Sequence, residues 1–250
     1  MARPLIYICY GMPKAGSTLA FNLTRAVLED AGITQETLHA PGAISAGAYN
    51  YVEVIRPNEL DALTDAMTYQ DNTPIAIKTH SGLWGCVERA LADGTVRAQA
   101  ICRDPRDIAL SMIDAGKADA AWGRRNGAQI MSPQDALPAI TAHVEKFARW
   151  AQQPGVLTLT YDAVAFDTKT AAETIARDLG VNINAERCAR AALNAGNQFN
   201  KGLGERWRTE MSAADSALYE SEFRRFFKTF LSPEPRPARK KGILRNLKRR

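Results

Sequence analysis

Residues 11–18 have the types and the spacing of a phosphate-binding loop. Their sequence is GMPKAGST, between an apolar segment at residues 5–10 and a segment of helical periodicity at residues 18–31. Backbone N–H groups at a helix start, with the helix dipole behind them, bind phosphate, and small residues let the anion approach. A strand, a glycine-containing loop and a helix in this order therefore predict phosphate chemistry, with a plain strand-to-helix turn as the alternative.

The position of the lysine in this loop argues against common ATP chemistry. An ATP-binding loop has the form G-x-x-x-x-G-K-[ST], and Gly11 and Gly16 have the required glycine spacing. Ser17, however, stands where the lysine belongs, and the lysine comes earlier, at Lys14. A P-loop kinase that needs ATP and Mg²⁺ is therefore an alternative that the loop does not favour.

Residues 13–18, PKAGST, resemble the 5′-phosphosulfate loop of sulfotransferases that use 3′-phosphoadenosine 5′-phosphosulfate (PAPS), whose usual form is P-K-[SA]-G-[ST]-[ST]. The resemblance implies that Lys14 contacts the bridging oxygen of the donor. Charge accumulates there as the S–O bond breaks, so a fixed cation stabilises the transition state more than the ground state. It also implies donor contacts from the residues that follow Lys14, which are Ala15, Gly16, Ser17, Thr18 and Leu19. Leu19 stands where the family often has a tryptophan.

A second segment, RDPRDIALS at residues 103–111, follows a predicted strand at residues 96–102. It resembles the 3′-phosphate segment of the same family, R-x-P-x-D-x-x-x-S. Arg103 lies at the carboxyl end of the strand, where open α/β sheets bind ligands, and Ser111 lies within the next helix. The resemblance implies that both bind the 3′-phosphate, and the alternative is a solvated Arg–Asp pair at a helix start.

The sequence IKTH at residues 77–80 closes the second predicted strand along the chain and resembles the K-T-H of the cytosolic members. The resemblance implies that His80 is the general base for the acceptor, and an ordinary histidine pKa near 6.5 suits that role. Lys78 either adds positive charge toward the donor or is a structural lysine. His39 and His143 are interpreted as structural or surface residues.

Two later segments extend the resemblance, which spans about residues 5–231. Tyr161, at the end of a predicted strand at residues 156–161, resembles the family tyrosine that approaches the adenine. Residues 199–207, FNKGLGERW, resemble F-x-R-K-G-x-x-G-x-W, a loop that folds over the 3′-phosphate, which implies donor contacts from Lys201 and Gly202. Asn200 replaces the arginine of that pattern, so we expect weaker donor binding or other contacts.

Strands and helices alternate along the chain. Strands are predicted at residues 5–10, 74–78, 96–102 and 156–161, and helices at residues 18–31, 58–69, 105–115, 133–150, 170–179 and about 212–231. This order predicts an α/β fold with a parallel doubly wound sheet, a P-loop-like phosphosulfate loop and helices on both faces. Such a sheet places Lys14, His80 and Arg103 at one edge.

The net charge of +5 is unevenly distributed. Residues 234–250 hold eight basic residues and one acidic residue, a net of +7, whereas the other 233 residues hold 24 basic and 26 acidic residues, a net of −2. We expect a sulfotransferase domain at residues 1–232 and a flexible basic tail at residues 233–250. A nucleic-acid partner is not expected. The tail is either solvated or contacts an anionic membrane.

The four cysteines are widely spaced, which is typical of reduced core cysteines and of a cytoplasmic protein. If the tail contacts a membrane, we expect peripheral contact at the inner membrane surface. We expect no metal. The expected function is sulfuryl transfer from PAPS to an acceptor hydroxyl or amine. A further alternative is a protein that keeps the nucleotide-binding fold without catalysis and is tethered by its basic tail. The acceptor is a small molecule, a lipid or a sugar, and loop aromatics are candidates for its pocket: Tyr49, Tyr51, Trp84 and Trp122.

Overall fold

A computed structural model of the chain describes residues 6–35, 50–69, 73–122, 129–195 and 202–231. The tail that we predict at residues 233–250 lies outside these ranges, so its boundary and its contacts stay predictions. The strands of the described part are β1 (Ile6–Gly11), β2 (Tyr51–Val52), β3 (Ile75–Thr79), β4 (Val96–Cys102) and β5 (Val156–Thr160). They form one parallel sheet in the order β2-β3-β1-β4-β5.

Helices connect and cover these strands. They are α1 (Ser17–Asp30), α2 (Pro57–Tyr69), α3 (Gly85–Asp93), α4 (Pro105–Ala121), α5 (Pro133–Ala151), α6 (Tyr161–Phe166), α7 (Thr168–Leu179), α8 (Ala185–Asn194), α9 (Trp207–Glu210), α10 (Ala213–Glu222) and α11 (Arg224–Phe230).

The sheet is covered on both faces, which confirms the predicted doubly wound α/β fold. The central strand β1 is buried along its whole length, and its side chains alternate between two cores. Ile8 and Tyr10 point into the core shared with α3, α4, α5 and α11. Tyr7 and Cys9 point into the core shared with α1, α7 and α8.

The carboxyl end of β1 is the point where the connections diverge. Helix α1, which follows β1, packs on one face of the sheet, whereas α3 and α4, which follow the neighbouring strands β3 and β4, pack on the other. In open α/β sheets the crevice at this switch point binds ligands. Residues 12–16, which join β1 to α1, occupy this position.

Two predicted helices have different bounds in the structure. Helix α4 continues to Ala121, beyond the predicted end at residue 115, although it passes through Gly116. A glycine costs about 1 kcal/mol inside a helix, and the packing of α4 against α5 offsets that cost. The single helix predicted near residues 212–231 is two helices, α10 and α11, which meet at Phe223.

Candidate active site

The carboxyl edge of the sheet brings the main predicted site residues together. Parallel pairing sets Tyr10 opposite Thr79 and Gly11 opposite Ile101. The residues that follow these strands therefore leave the sheet side by side. They are Lys14 after β1, His80 after β3, Arg103 after β4 and Tyr161 after β5.

The loop from Met12 to Gly16 makes a tight turn into α1. The Met12 N–H donates to the Ile101 carbonyl at 3.2 Å, and the Ala15 N–H donates to the Met12 carbonyl at 3.1 Å. Lys14 has a φ of 64°, a left-handed conformation that costs a residue with a side chain about 1–2 kcal/mol. Backbone strain of this kind is concentrated at functional sites. The Lys14 side chain is exposed to solvent.

Two glycines of the loop region leave no room for a side chain. A Cβ on Gly11 would lie 2.4 Å from the Ser17 Cβ and 2.9 Å from the Ile101 Cγ2. Gly16 has a φ of 82°, and a Cβ there would lie 2.7 Å from the Tyr161 Cδ2. The loop is therefore packed directly onto the ring of Tyr161.

Lys78 reaches from β3 to the predicted phosphate-binding loop at residues 11–18, which we call the phosphate loop. Its Nζ donates a hydrogen bond to the Thr18 Oγ1 at 2.8 Å, in the first turn of α1. Burial lowers the pKa of Lys78. The ammonium group therefore lies beside the helix start that we predict to hold an anion.

His80 is fixed by the backbone of the same loop region. Its Nδ1 lies 2.6 Å from the Gly11 carbonyl oxygen. A carbonyl only accepts, so Nδ1 carries the proton and Nε2 is the nitrogen that can take one up. Burial lowers the pKa of His80; the Gly11 hydrogen bond opposes this shift, and Lys78, Lys14 and Lys146 reinforce it. The ring is therefore neutral at pH 7, as a general base must be.

Arg103 connects the phosphate loop to Leu203, which lies one hundred residues after Arg103 in the chain. Its Nη1 donates to the Lys14 carbonyl at 3.3 Å, and its Nη2 donates to the Leu203 carbonyl at 2.6 Å. Nη2 also lies 3.4 Å from the Asp107 Oδ2. The guanidinium packs on the Tyr161 ring, 4.0 Å from its centroid. Tyr161 thus orients Arg103 and underlies Gly16.

Residues 202–206, which we call the outer loop, lie against α4, and the side chains that hold them there have no signature in the sequence. The Trp207 N–H donates to the Asp107 Oδ1 at 3.1 Å, and the Trp207 ring packs on the Arg106 guanidinium at 3.5 Å. Buried Arg206 pairs with Asp114 and Glu210, each at 2.8 Å.

Other predicted donor-binding residues have varied surroundings. Ser17 and Ser111 are buried, Ser111 being one helical turn beyond Asp107 on α4. Leu19 is a core residue that is 2% exposed, so it presents almost no surface to a ligand. Lys201 lies outside the described residues, and Gly202 opens the outer loop with a φ of 64°.

The structure separates the aromatic residues that we expect near the acceptor. The Tyr51 ring lies 5.8 Å from the His80 ring and 5.8 Å from the Lys78 Nζ. Trp84 and Trp122 are exposed, at 43% and 76%, and Tyr49 lies outside the described residues. Of these four aromatic residues, Tyr51 is the one that the structure places beside His80.

His143 is closer to the site than the sequence indicates. It lies on α5 two turns before Trp150, whose Nε1–H donates to the carbonyl of Ser81, the residue after His80. Its Nδ1 is buried and has no hydrogen-bond partner within the described part of the chain. Burial lowers the pKa of His143 to about 4, and Lys146 and His80 act in the same direction.

Neither a metal cluster nor a membrane span is found in the residues that the structure describes. No three His, Cys, Asp or Glu side chains within these ranges lie close enough to hold a metal ion. None of the described helices has the length and apolar character needed to cross a membrane.

Comparison with known proteins agrees with this geometry. The sulfotransferase domain family matches residues 6–195, whereas no curated protein matches the chain. The fold is similar to that of retinol dehydratase in complex with androsterone and the inactive cofactor PAP, with 16% identity and a TM-score of 0.56, over 94% of this chain and 84% of that one. It is also similar to that of mouse sulfotransferase SULT7A1 complexed with PAP, with 16% identity and a TM-score of 0.57, over 91% and 84% of the two chains. Since the family match covers most of the chain and the fold agrees, the protein belongs to the sulfotransferase domain family and is an enzyme of the sulfotransferase class.

Proposed function

We propose that the protein transfers a sulfuryl group from PAPS to an acceptor hydroxyl or amine, with His80 as the general base. The observation that carries this proposal is the 2.6 Å contact between the His80 Nδ1 and the Gly11 carbonyl. It fixes a neutral histidine, in the tautomer that a base needs, next to the loop that resembles a phosphosulfate loop.

The donor end of the proposed site is built from the phosphate loop and Lys78. Backbone N–H groups at the start of α1 suit the 5′-phosphosulfate. The Lys78 Nζ, held at 2.8 Å from the Thr18 Oγ1, adds positive charge at this helix start. The PAP in the retinol dehydratase and mouse sulfotransferase structures supports a nucleotide donor here as well.

The 3′-phosphate end is assigned to Arg103 and Ser111, with Lys201 and Gly202 in the later segment. Arg103 is buried and already donates to the Lys14 and Leu203 carbonyls. A nucleotide phosphate bound there would contact the same guanidinium that links the phosphate loop to the outer loop. We therefore assign Arg103 a double role, as a phosphate ligand and as the link between these loops.

The proposed reaction is an in-line displacement at sulfur. Nε2 of His80 takes the proton of the acceptor hydroxyl as its oxygen attacks sulfur. The bond between sulfur and the 5′-phosphate oxygen breaks, and both of its electrons stay on that oxygen, beside Lys14. The products are a sulfated acceptor and 3′-phosphoadenosine 5′-phosphate (PAP), and His80 then releases its proton to water. A cation aimed at the leaving oxygen acts most strongly in the transition state.

A small molecule, a lipid or a sugar is the proposed acceptor class. The aromatic ring of Tyr51 beside His80 suits the packing of a ring or of an alkyl chain. Structures of retinol dehydratase in complex with androsterone and with retinol support a lipid-like acceptor in particular.

Two measurements test the proposed function. Calorimetric titration with PAP should show binding, and incubation with ³⁵S-labelled PAPS should label at least one member of a panel of phenols, sterols, fatty alcohols and sugars. Absence of PAP binding would overturn the proposed donor. Transfer of phosphate from ATP with Mg²⁺, in place of sulfate from PAPS, would favour the kinase alternative.

We predict that Gly16→Ala weakens PAP binding and lowers stability by about 1–3 kcal/mol, because it adds backbone strain and forces a Cβ against the Tyr161 ring. Gly180→Ala is the matched control, since Gly180 also has a positive φ, of 68°, but has nothing within 4 Å of its Cβ position. Thermal denaturation and PAP titration of both variants separate the two effects. Equal loss of PAP affinity in both would show that the contact with Tyr161 is irrelevant.

A further inference from the structure

We propose that Asp107 is a positioning residue for donor binding: it fixes the outer loop and Arg103 relative to the phosphate loop. This inference rests on the proposed function, because it concerns the nucleotide end of the same site. Asp107 itself has no contact with the sulfur, the acceptor or His80 in the proposed reaction.

The geometry joins three segments of the chain through one carboxylate. One oxygen, Oδ1, accepts the Trp207 N–H at 3.1 Å, and the other, Oδ2, lies 3.4 Å from the Arg103 Nη2. Arg103 in turn donates to the carbonyl of Lys14 in the phosphate loop and to that of Leu203 in the outer loop. From the first turn of α4, Asp107 therefore holds Arg103, the centre of this bridge, and Trp207, the residue that follows the outer loop.

The carboxylate is buried, and only its partners compensate for that burial. Asp107 is 2% exposed and Arg103 is 8% exposed. The pKa of Asp107 is raised, first by burial and also by Asp104, and Arg103 and the backbone N–H groups of Trp207 and Glu205 oppose this shift. A buried charge that loses its partner is strongly destabilising, so each member of this pair requires the other.

The outer loop has little apolar packing of its own that could replace these contacts. Leu203, its large apolar residue, is 44% exposed. The ion pairs of Arg206 with Asp114 and Glu210 hold the C-terminal end of the loop. At the N-terminal end, the Leu203 carbonyl accepts a hydrogen bond from Arg103. Loss of Asp107 should therefore release the inner part of the loop and the Trp207 amide, while the Arg206 ion pairs hold the rest of α9 in place.

The expected consequence is selective for the donor. Asp107→Ala should weaken PAP binding by about tenfold or more, within the range usual for coupled sites. It should raise the KM for PAPS by a larger factor than it lowers kcat at saturating PAPS, because His80 and its contact with Gly11 are not touched. A residue needed only for folding would not separate KM from kcat in this way.

Hydrogen exchange tests the positioning role directly. We compare the full chain with Asp107→Ala, Asp107→Asn and Asp178→Asn, following the amides of residues 203–207 without ligand and with PAP. Asp178→Asn is the matched control, because Asp178 also pairs with an arginine, Arg97, and accepts from the Tyr7 hydroxyl at 3.0 Å, but lies on α7 away from both loops. Asp107→Asn keeps an acceptor for the Trp207 N–H and loses the ion pair, so its effect should be intermediate.

We expect about tenfold faster exchange at the Trp207 amide in Asp107→Ala than in Asp178→Asn, since exchange follows local opening. Equal rates in the two variants, in the absence of ligand, would overturn the inference. If Asp107→Ala does not fold, the same comparison with Asp107→Asn decides. Failure of the unaltered protein to bind PAP would instead refute the proposed donor, and the exchange result without ligand would still judge the role of Asp107.

Discussion

His80→Ala should lower sulfuryl transfer by about 10²- to 10⁴-fold, the usual contribution of a general base, and should leave a complex that still binds PAP. The loss follows from the removal of the nitrogen that takes the acceptor proton. The measurement is turnover of ³⁵S-labelled PAPS at saturating donor, together with calorimetric titration of PAP. Equal loss of turnover and of PAP binding would contradict the assigned role.

His80→Asn separates the base from the tether to the loop. An asparagine amide can donate to the Gly11 carbonyl, as the His80 Nδ1–H does at 2.6 Å, but it cannot accept the acceptor proton at neutral pH. We therefore expect His80→Asn to be as inactive as His80→Ala. Recovery of transfer in His80→Asn would show that only the position of the loop matters.

The pH profile of the unaltered protein gives an independent check on the same residue. Burial and the nearby lysines lower the pKa of His80, so its neutral form persists at a pH below the ordinary histidine value of about 6.5. The acidic limb of the kcat/KM profile should therefore lie below that value, and it should be absent in His80→Asn.

Lys14→Met should lower kcat at saturating PAPS by about 10²- to 10³-fold, the loss typical when one preorganised stabiliser of developing charge is removed. Methionine is similar in length to lysine and uncharged, so the loop keeps its shape and loses only the cation. PAP affinity should fall less than kcat, because the charge on the bridging oxygen develops during the reaction. The measurements are single-turnover transfer and PAP titration.

Lys146→Met is the matched control for charge near the base. Lys146 is an exposed lysine on α5 that also lowers the pKa of His80, but it is not part of the phosphate loop. We expect a small change in kcat from this variant. A loss of kcat in Lys146→Met as large as that in Lys14→Met would point to a general effect of positive charge near the site. If Lys14→Met changed PAP affinity but not kcat, Lys14 would contribute to ground-state binding only.

Features with a local signature could be predicted from the sequence. The apolar run of β1, the loop with Lys14 and the strand-end positions of His80 and Arg103 depend on residues close together in the chain. The parallel sheet then brings them to one edge. The two-residue strand β2 was missed, because it is too short for any periodicity to show.

Contacts between distant segments could not be predicted in the same way. Asp107 and Trp207 are one hundred residues apart, and their hydrogen bond exists only because the outer loop returns to the start of α4. The helix that carries His143 predicts only a structural or surface residue, because its position near His80 depends on how α5 packs. Gly116 favours an end of α4 near residue 115, because the sequence does not reveal the packing against α5 that lets the helix continue.

The contact between His80 and the Gly11 carbonyl also bears on how such an enzyme diversifies. The proposed base is aligned by a main-chain oxygen of β1, and Gly11 itself has no space for a Cβ beside Ser17 and Ile101. A change of side chain at Tyr51, which we propose lies beside the acceptor, leaves this main-chain contact of His80 in place. We therefore expect that acceptor preference can be engineered at Tyr51 separately from the proposed proton transfer.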